Sequence, residues 1–313
     1  MKHLLDVDEL NTEDAESILS QAGEYRAAFD AGPPVPAAAP LAGGRIALLF
    51  AEPSTRTRLS FEIAGYALGA QTLVVDPGGS SLVKGESMAD TVRTLDALGI
   101  DTLVLRHHRA GAPWVAARHF GGSVVNAGDG WHAHPTQALL DLLTLRRAFG
   151  ATTDGTRRLA GAKVAIVGDV RHSRVARSNL TMLGRQGVDV WACGPSDWLR
   201  DWPGDVATDD LDAALRGADA VMGLRVQRER MKGSAFDLGG YVARYQITEA
   251  RMRLAAPGAR FMHPGPVNEG IEVTHEVATG PRSLVLEQVR NGVPVRMAVL
   301  AAVNASSREG VAG

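Results

Sequence analysis

The stretch that decides the fold is Glu52-Pro53-Ser54-Thr55-Arg56-Thr57-Arg58-Leu59-Ser60-Phe61-Glu62, which follows the apolar run Arg45–Phe50. The apolar run is typical of a buried strand. Beyond Pro53 the pattern changes, and Ser54 or Thr55 is suited to cap a helix. We expect this helix to turn its apolar residues toward the core, namely Leu59, Ile63, Tyr66 and Ala67.

Two arginines, Arg56 and Arg58, lie in the first turn of this predicted helix. The unpaired amides of a helix N-terminus already carry a partial positive charge, so cations there indicate a bound anion. Backbone amides, hydroxyls and a guanidinium group are together suited to a phosphate group. Arg58 lies about 200° around the helix from Arg56, so we expect only Arg56 to face the anion. An exposed polar turn is the alternative interpretation.

Composition narrows the class of protein. At 313 residues the chain is long enough for two domains, and its 45% hydrophobic content can supply a core for each. A formal net charge of -2 gives no basic excess, so we expect no nucleic-acid or membrane partner. Cys193 is the single cysteine, which rules out an intrachain disulfide and predicts a small core residue. Without a signal-peptide pattern or an apolar stretch of about 20 residues, we expect a cytoplasmic protein.

Apolar runs recur along the chain with gaps of helical length, which predicts parallel sheets with right-handed crossovers. We therefore expect an α/β fold of two open, doubly wound parallel-sheet domains, with the active site in the cleft between them. The first domain should span residues 1–148, with a helix at about 294–305 packing back on it, and the second should span 149–293. Residues 306–313 are predicted to be a frayed tail. The predicted strands are 45–50, 72–76, 101–106, 123–127, 163–168, 188–192, 220–224 and 260–263.

Polar or glycine-rich residues follow most of these predicted strands. Because ligands bind beyond the carboxyl ends of the strands in open parallel sheets, these residues are the candidates for a site. Each has a structural alternative: Lys84 as a solvated loop tip, Arg106 as a surface side chain, His134 as a hydrogen-bonded structural histidine, and Arg225 as part of a solvated charge run. The candidates are Ser54–Arg58, Gly78–Glu86, Arg106, Gly128–Gln137, Asp169–Arg174, Arg225–Arg228 and His263–Pro266.

Metal and nucleotide cofactors are not expected. The pairs His107-His108 and His132-Ala133-His134 have no carboxylate or cysteine partners at ligand spacing. The run Val164–Gly168 continues into Asp169 rather than into Gly-x-Gly-x-x-Gly, and the sequence contains no Gly-x-x-x-x-Gly-Lys-Ser/Thr loop.

Four motifs in their order along the chain resemble the aspartate/ornithine carbamoyltransferase family over nearly the whole length. The segment Leu224–Arg230 looks like the aspartate-binding loop of that family. The ornithine enzymes usually have a cysteine after the histidine of the last motif, and Pro264 stands at that position here. The motifs are Ser54–Arg58, Lys84–Glu86, His134–Asp141 and His263–Pro266.

The resemblance implies transfer of the carbamoyl group of carbamoyl phosphate to L-aspartate, with no cofactor or metal. Arg56, Thr57, Arg106 and His134 would be the catalytic residues. Carbamoyl phosphate would bind Ser54, Thr55, Arg56, Thr57, Arg106, His134, Gln137, Gly265 and Pro266. L-aspartate would bind Lys84, Arg174, Arg225 and Gln227.

The resemblance also implies a homotrimer in which Lys84 reaches the neighbouring subunit's site. A regulatory chain or a dihydroorotase is a possible further partner. The alternatives are another amino acceptor, such as ornithine, and a non-catalytic scaffold of the same fold. Two residues depart from the family pattern: Glu269 stands where many relatives have arginine, and His108 replaces a common proline.

Overall fold

The computed structural model describes residues 1–32, 39–76, 85–150, 159–227 and 236–309, with side chains as far as residue 305. Lys84, Arg228 and the polar segment 151–158 lie outside the described residues. The chain divides into two compact units, which we call the first unit (1–143 and 289–313) and the second unit (144–288).

The first unit is built on a parallel sheet with the strand order β2-β1-β3-β4. The chain moves from β1 to one side and then returns to continue on the other side, which is the reversal of a doubly wound sheet. Apolar side chains of β1, β3 and β4 are fully buried because helices cover the sheet. The elements are α1 (Thr12–Ala31), β1 (Arg45–Phe50), α2 (Thr55–Ala67), β2 (Gln71–Val75), α3 (Met88–Ala97), β3 (Thr102–His107), α4 (Ala112–His119), β4 (Ser123–Asp129) and α5 (Pro135–Ala148).

The second unit repeats this plan with the strand order β7-β6-β5-β8-β9, again all parallel. The predicted fold class of two parallel-sheet α/β domains is therefore confirmed. The short strand β7 was not predicted, since three residues are too few to show a pattern. The elements are β5 (Lys163–Val167), α6 (Arg174–Gly184), β6 (Asp189–Cys193), α7 (Ser196–Leu199), β7 (Val206–Thr208), α8 (Leu211–Leu215), β8 (Ala220–Gly223), α9 (Leu238–Tyr245), α10 (Glu249–Met252), β9 (Arg260–Met262), α11 (His275–Thr279) and α12 (Val285–Glu309).

The predicted inward face of α2 is wrong for three of its four residues. Tyr66 is 70% exposed, Ile63 45% and Leu59 44%, whereas Ala67 is buried as expected. The buried face carries mostly small residues together with one aromatic ring: Thr57, Ser60, Phe61, Ala64, Gly65 and Ala67. Small side chains let the helix lie close to the sheet, and the larger apolar ones are left on the outside.

The C-terminal helix α12 is longer than predicted at both ends. It begins at Val285, contains Pro294, and continues to Glu309, so the predicted tail at 306–313 is helical over its first four residues. Its last turns hydrogen-bond to the starts of two strands of the first unit. Thr102 Oγ1 donates to Asn304 Oδ1 over 3.1 Å, and Ser123 Oγ donates to the Val303 carbonyl over 2.9 Å.

Candidate active site

Each sheet has one point where its strand order reverses, and the predicted site residues follow the two strands that meet there or the strand next to them. In the first unit the two strands that meet are β1 and β3, and in the second unit they are β5 and β8. A crevice for ligands opens beyond the carboxyl ends of the strands at such a point. The architecture of each unit therefore brings its own candidate residues to one edge.

The start of α2 has the features of a candidate anion site. Ser54 is the N-cap residue and its hydroxyl accepts a hydrogen bond from the Thr57 amide, with 3.4 Å between the heavy atoms. Thr57 is buried, whereas Thr55 and Arg56 are exposed and accessible to a ligand. Nε of Arg58 lies 4.0 Å from Oε1 of Glu62 on the same helix. With no acidic residue in its first turn, this helix N-terminus is suited to a phosphate group.

Arg106 lies beside this anion site because β3 is the neighbour of β1, with Arg106 in register with Phe50. Its Nη2 donates to Glu52 Oε1 over 2.7 Å, and its Nη1 donates to the Ala127 carbonyl over 3.2 Å. The side chains of Arg106 and Glu52 are both mostly buried. An anionic ligand that binds Arg106 must therefore compete with Glu52, a residue of the opening motif that the sequence pattern left without a role.

The loop that carries His134 is held by Asp129, the last residue of β4. Asp129 is fully buried, and its Oδ1 accepts from the Ala133 amide over 3.1 Å while its Oδ2 accepts from the Gly111 amide over 2.8 Å. The turn passes through Gly130 at a φ of +48°, where a Cβ would lie 2.8 Å from the Ala110 nitrogen. This framework fixes the entry into α5 and thereby the position of the buried His134.

Gln137 lies in the first turn of α5, and its side-chain amide is oriented by another buried carboxylate, Asp141. Its Nε2 donates to Asp141 Oδ1 over 2.9 Å. The His134 carbonyl accepts from the Gln137 amide over 3.0 Å, so both residues belong to the same first turn. The first unit therefore brings together the Ser54–Thr57 group, Arg106, His134 and Gln137 along neighbouring strand ends.

In the second unit, Arg174 is the first residue of α6 and is buried. The preceding loop is anchored by Asp169, which is fully buried and lies 2.7 Å from Nδ1 of His172. Burial raises the pKa of Asp169, while His172 opposes that rise. The loop after β5 is thus held by a carboxylate beneath it, and Arg174 follows at a fixed place.

The segment Arg225–Gln227, which follows β8, is held from two sides. Gln227 Nε2 donates to the His172 carbonyl over 3.2 Å, which joins it to the loop after β5. On the other side, Oε1 of the buried Glu272 accepts from the Val226 amide over 3.1 Å and from Asn268 Nδ2 over 2.9 Å. Burial raises the pKa of Glu272, and the charge of Arg225 acts in the opposite direction.

The last motif forms a tight loop after β9. The Gly265 amide donates to His263 Nδ1 over 2.9 Å, and the His263 amide donates to Gln288 Oε1 over 2.9 Å. Gly265 has a φ of +71°, which favours glycine, and the Gly265-Pro266 bond is cis. This loop places Gly265 and Pro266 at the same sheet edge as Arg225 and Gln227, since β9 is the neighbour of β8.

Sequence reasoning gave no role to the buried carboxylates that support the candidate residues. Asp129, Asp141, Asp169 and Glu272 each hold a loop or a side chain that carries a candidate residue. Asp129 and Asp169 lie within the candidate ranges and Asp141 ends a motif, but nothing in the sequence separates such buried acids from surface acids. Within the described ranges, no group of three or more His, Cys, Asp or Glu side chains is arranged to hold a metal ion. In the same ranges no helix is long and apolar enough to cross a bilayer.

Two family models match the chain. Residues 2–147 match the carbamoyl-phosphate-binding domain of aspartate/ornithine carbamoyltransferases, and residues 160–303 match the aspartate/ornithine-binding domain. The chain belongs to the aspartate/ornithine carbamoyltransferase family. The resemblance drawn from the four motifs is therefore confirmed, and the chain is an enzyme of carbamoyl transfer.

Relatives within the family match over nearly their full length. The aspartate carbamoyltransferase catalytic subunit of Roseiflexus sp. (strain RS-1) is 48% identical over 307 residues, which cover 96% of this chain and 94% of the relative. The subunit of the same name from Thermus aquaticus is 48% identical over 301 residues, covering 96% of this chain and 97% of the relative.

Solved structures from both branches of the family share the fold. Aspartate transcarbamoylase from Trypanosoma cruzi, in complex with carbamoyl aspartate and phosphate, is 31% identical with a TM-score of 0.82, covering 96% of this chain and 95% of that one. Ornithine carbamoyltransferase from Pyrococcus furiosus is 27% identical with a TM-score of 0.83, covering 96% of each chain. Because both branches fit equally well, the fold does not choose the amino acceptor.

Proposed function

We propose that this chain is the catalytic chain of an aspartate carbamoyltransferase, which converts carbamoyl phosphate and L-aspartate to N-carbamoyl-L-aspartate and phosphate. The observation that carries the proposal is the meeting of a prepared phosphate site, Arg106, His134 and Gln137 at one edge of the first sheet. Relatives that are 48% identical carry the name of the aspartate enzyme, which favours aspartate as the acceptor. In this reaction the first unit binds carbamoyl phosphate and the second binds the amino acid.

Carbamoyl phosphate is held by its phosphate at the start of α2. Ser54, Thr55, Arg56 and Thr57 supply hydroxyls, amides and a guanidinium group, and Arg106 adds a second one. Thr57, Arg106 and His134 then polarise the carbamoyl oxygen, where negative charge develops as the amine attacks. Gln137 and the loop at Gly265 and Pro266 orient the carbamoyl NH₂ group.

L-aspartate carries two carboxylates, so its site needs at least two cations. Arg174 and Arg225 supply them in the second unit, and Gln227 adds an amide at the same sheet edge. Lys84, which lies outside the described residues, is the third proposed cation. The buried position of Arg174 strengthens its attraction for a carboxylate, because the surrounding dielectric is low.

The chemical step forms one bond and breaks one. The neutral α-amine of aspartate attacks the carbamoyl carbon, and the C–O bond to phosphate then breaks. The amine proton goes to the departing phosphate, whose oxygens are basic enough to accept it. The protein's part is to hold the two anionic substrates in attack geometry and to stabilise the developing oxyanion.

A colorimetric ureido assay with the purified chain tests this function. The expected result is ureido product from carbamoyl phosphate with L-aspartate and none with L-ornithine. Arg106→Ala should lower kcat/KM by at least about a hundredfold, because it removes one phosphate contact and one donor to the oxyanion. Product with ornithine alone would assign the chain to the other branch of the family, and no product with either amino acid would refute the proposal.

The proposal includes a homotrimer with shared sites. Leu59, Ile63 and Tyr66 form an exposed apolar face on α2, and this helix begins at the phosphate site. A second copy of the chain seated on this face would lie beside that site and could contribute Lys84 to it. Hybrids of Arg56→Ala and Lys84→Ala chains should regain activity at those sites that combine the intact residue of each chain. Trimeric hybrids that stay inactive would show that the sites are not shared.

A cytoplasmic location and a place in pyrimidine biosynthesis follow from the proposed reaction. The chain would act with no cofactor and no metal. A regulatory chain or a dihydroorotase remains a proposed additional partner, and the native mass in a crude extract, compared with that of the purified trimer, tests for either.

A further inference from the structure

The side chains of Gln137 and Asp141 form a buried pair on α5. They lie one helical turn apart, and Gln137 Nε2 donates to Asp141 Oδ1 over 2.9 Å. Asp141 is fully buried, and Gln137 is 8% exposed. An ionised carboxylate accepts hydrogen bonds and donates none, so the glutamine can meet it only with its NH₂ group. The amide orientation is thereby fixed by chemistry.

This orientation decides what Gln137 can recognise. Because the NH₂ end of the amide faces Asp141, the opposite end of the amide presents the carbonyl oxygen Oε1, which is an acceptor. A carbamoyl NH₂ group is a donor and suits it. An oxygen at the same place in the ligand would face another acceptor, and that mismatch leaves both groups without a hydrogen bond.

Asp141 holds this orientation through the acceptor character of its carboxylate. If it were protonated, its O–H could donate to Oε1 and the amide could turn over. Arg296 of α12 supplies the opposing charge: its guanidinium is buried, interacts favourably with Asp141 and lies 5.2 Å from the centre of the Phe61 ring. Burial and the charge of Arg106 lower the pKa of Arg296 to about 9, so it remains a cation at neutral pH.

Arg296 is held in this position by its contacts with Gly292 on the same helix. Its Nη1 donates to the Gly292 carbonyl over 3.0 Å, and a Cβ at Gly292 would lie only 2.6 Å from the same nitrogen. Its Nε has no hydrogen-bond partner among the described residues. A buried guanidinium with an unused donor costs stability, and the negative charge of Asp141 offsets part of that cost.

We propose that Asp141, which lies near the buried cation Arg296, is a positioning residue that locks the Gln137 amide with its oxygen toward the ligand and so selects a carbamoyl NH₂ group. The inference rests on the proposed function and adds the device that discriminates this group from an oxygen or a methyl group.

The test compares two stable ligands of the full chain by isothermal titration calorimetry. Phosphonoacetamide carries an NH₂ group at the position in question, and phosphonoacetate carries an oxygen there. In Asp141→Asn both orientations of the Gln137 amide become available. The affinity ratio of phosphonoacetamide to phosphonoacetate should then fall by roughly tenfold, which is the effect of one charge-assisted hydrogen bond.

Two controls separate positioning from a loss of charge or of packing. Asp101→Asn removes a negative charge next to the opposite ends of the strands, where Asp101 bonds the Arg45 amide, and should leave the ratio unchanged. In a Gln137→Ala background, Asp141→Asn should also leave the ratio unchanged, because the residue through which it acts is gone. If Asp141 had only a structural role, Asp141→Asn would lower the affinity for both ligands by the same factor.

A measurement on the wild-type chain applies even if the variant does not fold. The ¹⁵N-labelled side-chain NH₂ resonances of Gln137, assigned by their loss in Gln137→Ala, should keep their shifts on binding of phosphonoacetamide, since the NH₂ group stays hydrogen-bonded to Asp141. Large shifts, or an unchanged ratio in a folded Asp141→Asn, would overturn the inference alone. A wild-type chain that binds neither ligand would overturn the proposed function as well.

Discussion

Gly65 is the point where α2 comes closest to the first sheet, and we expect Gly65→Ala to destabilise the protein. An added Cβ would lie 2.4 Å from Thr72 Cγ2 and 3.2 Å from Ile46 Cδ1. The first distance is far below van der Waals contact, and both neighbours belong to strands of the sheet. Either the helix or the strands must move to admit the methyl group.

Two opposing effects set the magnitude. Alanine is favoured over glycine in a helix interior by about 1 kcal/mol. Overpacking of a well-packed site costs about 1–3 kcal/mol. Since Gly65 has one contact below 3 Å, we take the upper half of that range, and the net loss in the free energy of unfolding should be about 1–2 kcal/mol.

A second substitution tests whether Thr72 is the group that opposes the new methyl group. Thr72→Ser removes the one atom that the new methyl group would strike, so the double variant should recover the loss and gain from the better helix former. Urea unfolding followed by circular dichroism measures all four proteins. The coupling energy between the two sites should exceed about 1 kcal/mol in favour of the double variant.

The stability of Gly65→Ala alone decides whether the reasoning holds. An unfolding midpoint equal to that of the wild type would mean that α2 moves away at no cost and that its close approach is not needed. A double variant no more stable than Gly65→Ala would mean that Thr72 is not the obstacle. The first turn of α2 carries the proposed phosphate site, so we also expect a raised KM for carbamoyl phosphate in the single variant.

Three further predictions concern charge and surface. Asp129→Asn should lower the free energy of unfolding by about 2–3 kcal/mol, because the amide of Gly111 or of Ala133 would then face an NH₂ group instead of an acceptor. The same variant should raise KM for carbamoyl phosphate. Thermal unfolding and steady-state kinetics measure the two effects. Glu272→Gln should raise the free energy of unfolding at pH 7, because burial raises the pKa of Glu272 and penalises its charged form. As the pH falls toward 4.5 the wild-type carboxylate becomes protonated in the folded state, so the advantage of the variant should shrink. Urea unfolding across this pH range measures the sign of the change. Tyr66→Asp should shift the native mass from trimer toward monomer in sedimentation, and an unchanged trimer would place the subunit contact elsewhere.

The strands of both sheets were predictable because their signal is local. A strand buried on both faces must be a continuous apolar run, and Arg45–Phe50 and Lys163–Val167 are such runs. The carboxyl ends of those strands then located the candidate residues without any knowledge of distances. The element missed, Val206–Thr208, is an edge strand too short to carry a pattern.

The inward face of α2 could not be predicted, because the usual rule identifies the larger apolar residues with the core. Here the helix contacts the sheet through Gly65 and Ala64, and close approach selects small residues there. The larger side chains Leu59, Ile63 and Tyr66 remain on the surface, where one sequence alone gives no sign of a partner. Periodicity identifies an apolar face of a helix, but it does not show whether the core or another subunit covers that face.

The supporting carboxylates were unpredictable for a different reason. The opposite charge near Asp141 comes from Arg296, which lies in the C-terminal helix, far away in the sequence. Glu272 holds Val226 through a contact across 46 positions. Motif reasoning finds residues that meet the ligand, whereas the residues that aim them become visible only once the chain is folded.

The return of α12 to the first unit has a consequence for synthesis on the ribosome. The hydroxyls of Thr102 and Ser123 are buried, and their partners are Asn304 and the Val303 carbonyl near the end of the chain. Arg26 of α1 likewise bonds Asn291 over 2.6 Å. The unit that leaves the ribosome first therefore has several of its buried polar groups satisfied only by the last part of the chain, so translation must be nearly finished before this unit has all of its buried hydrogen bonds.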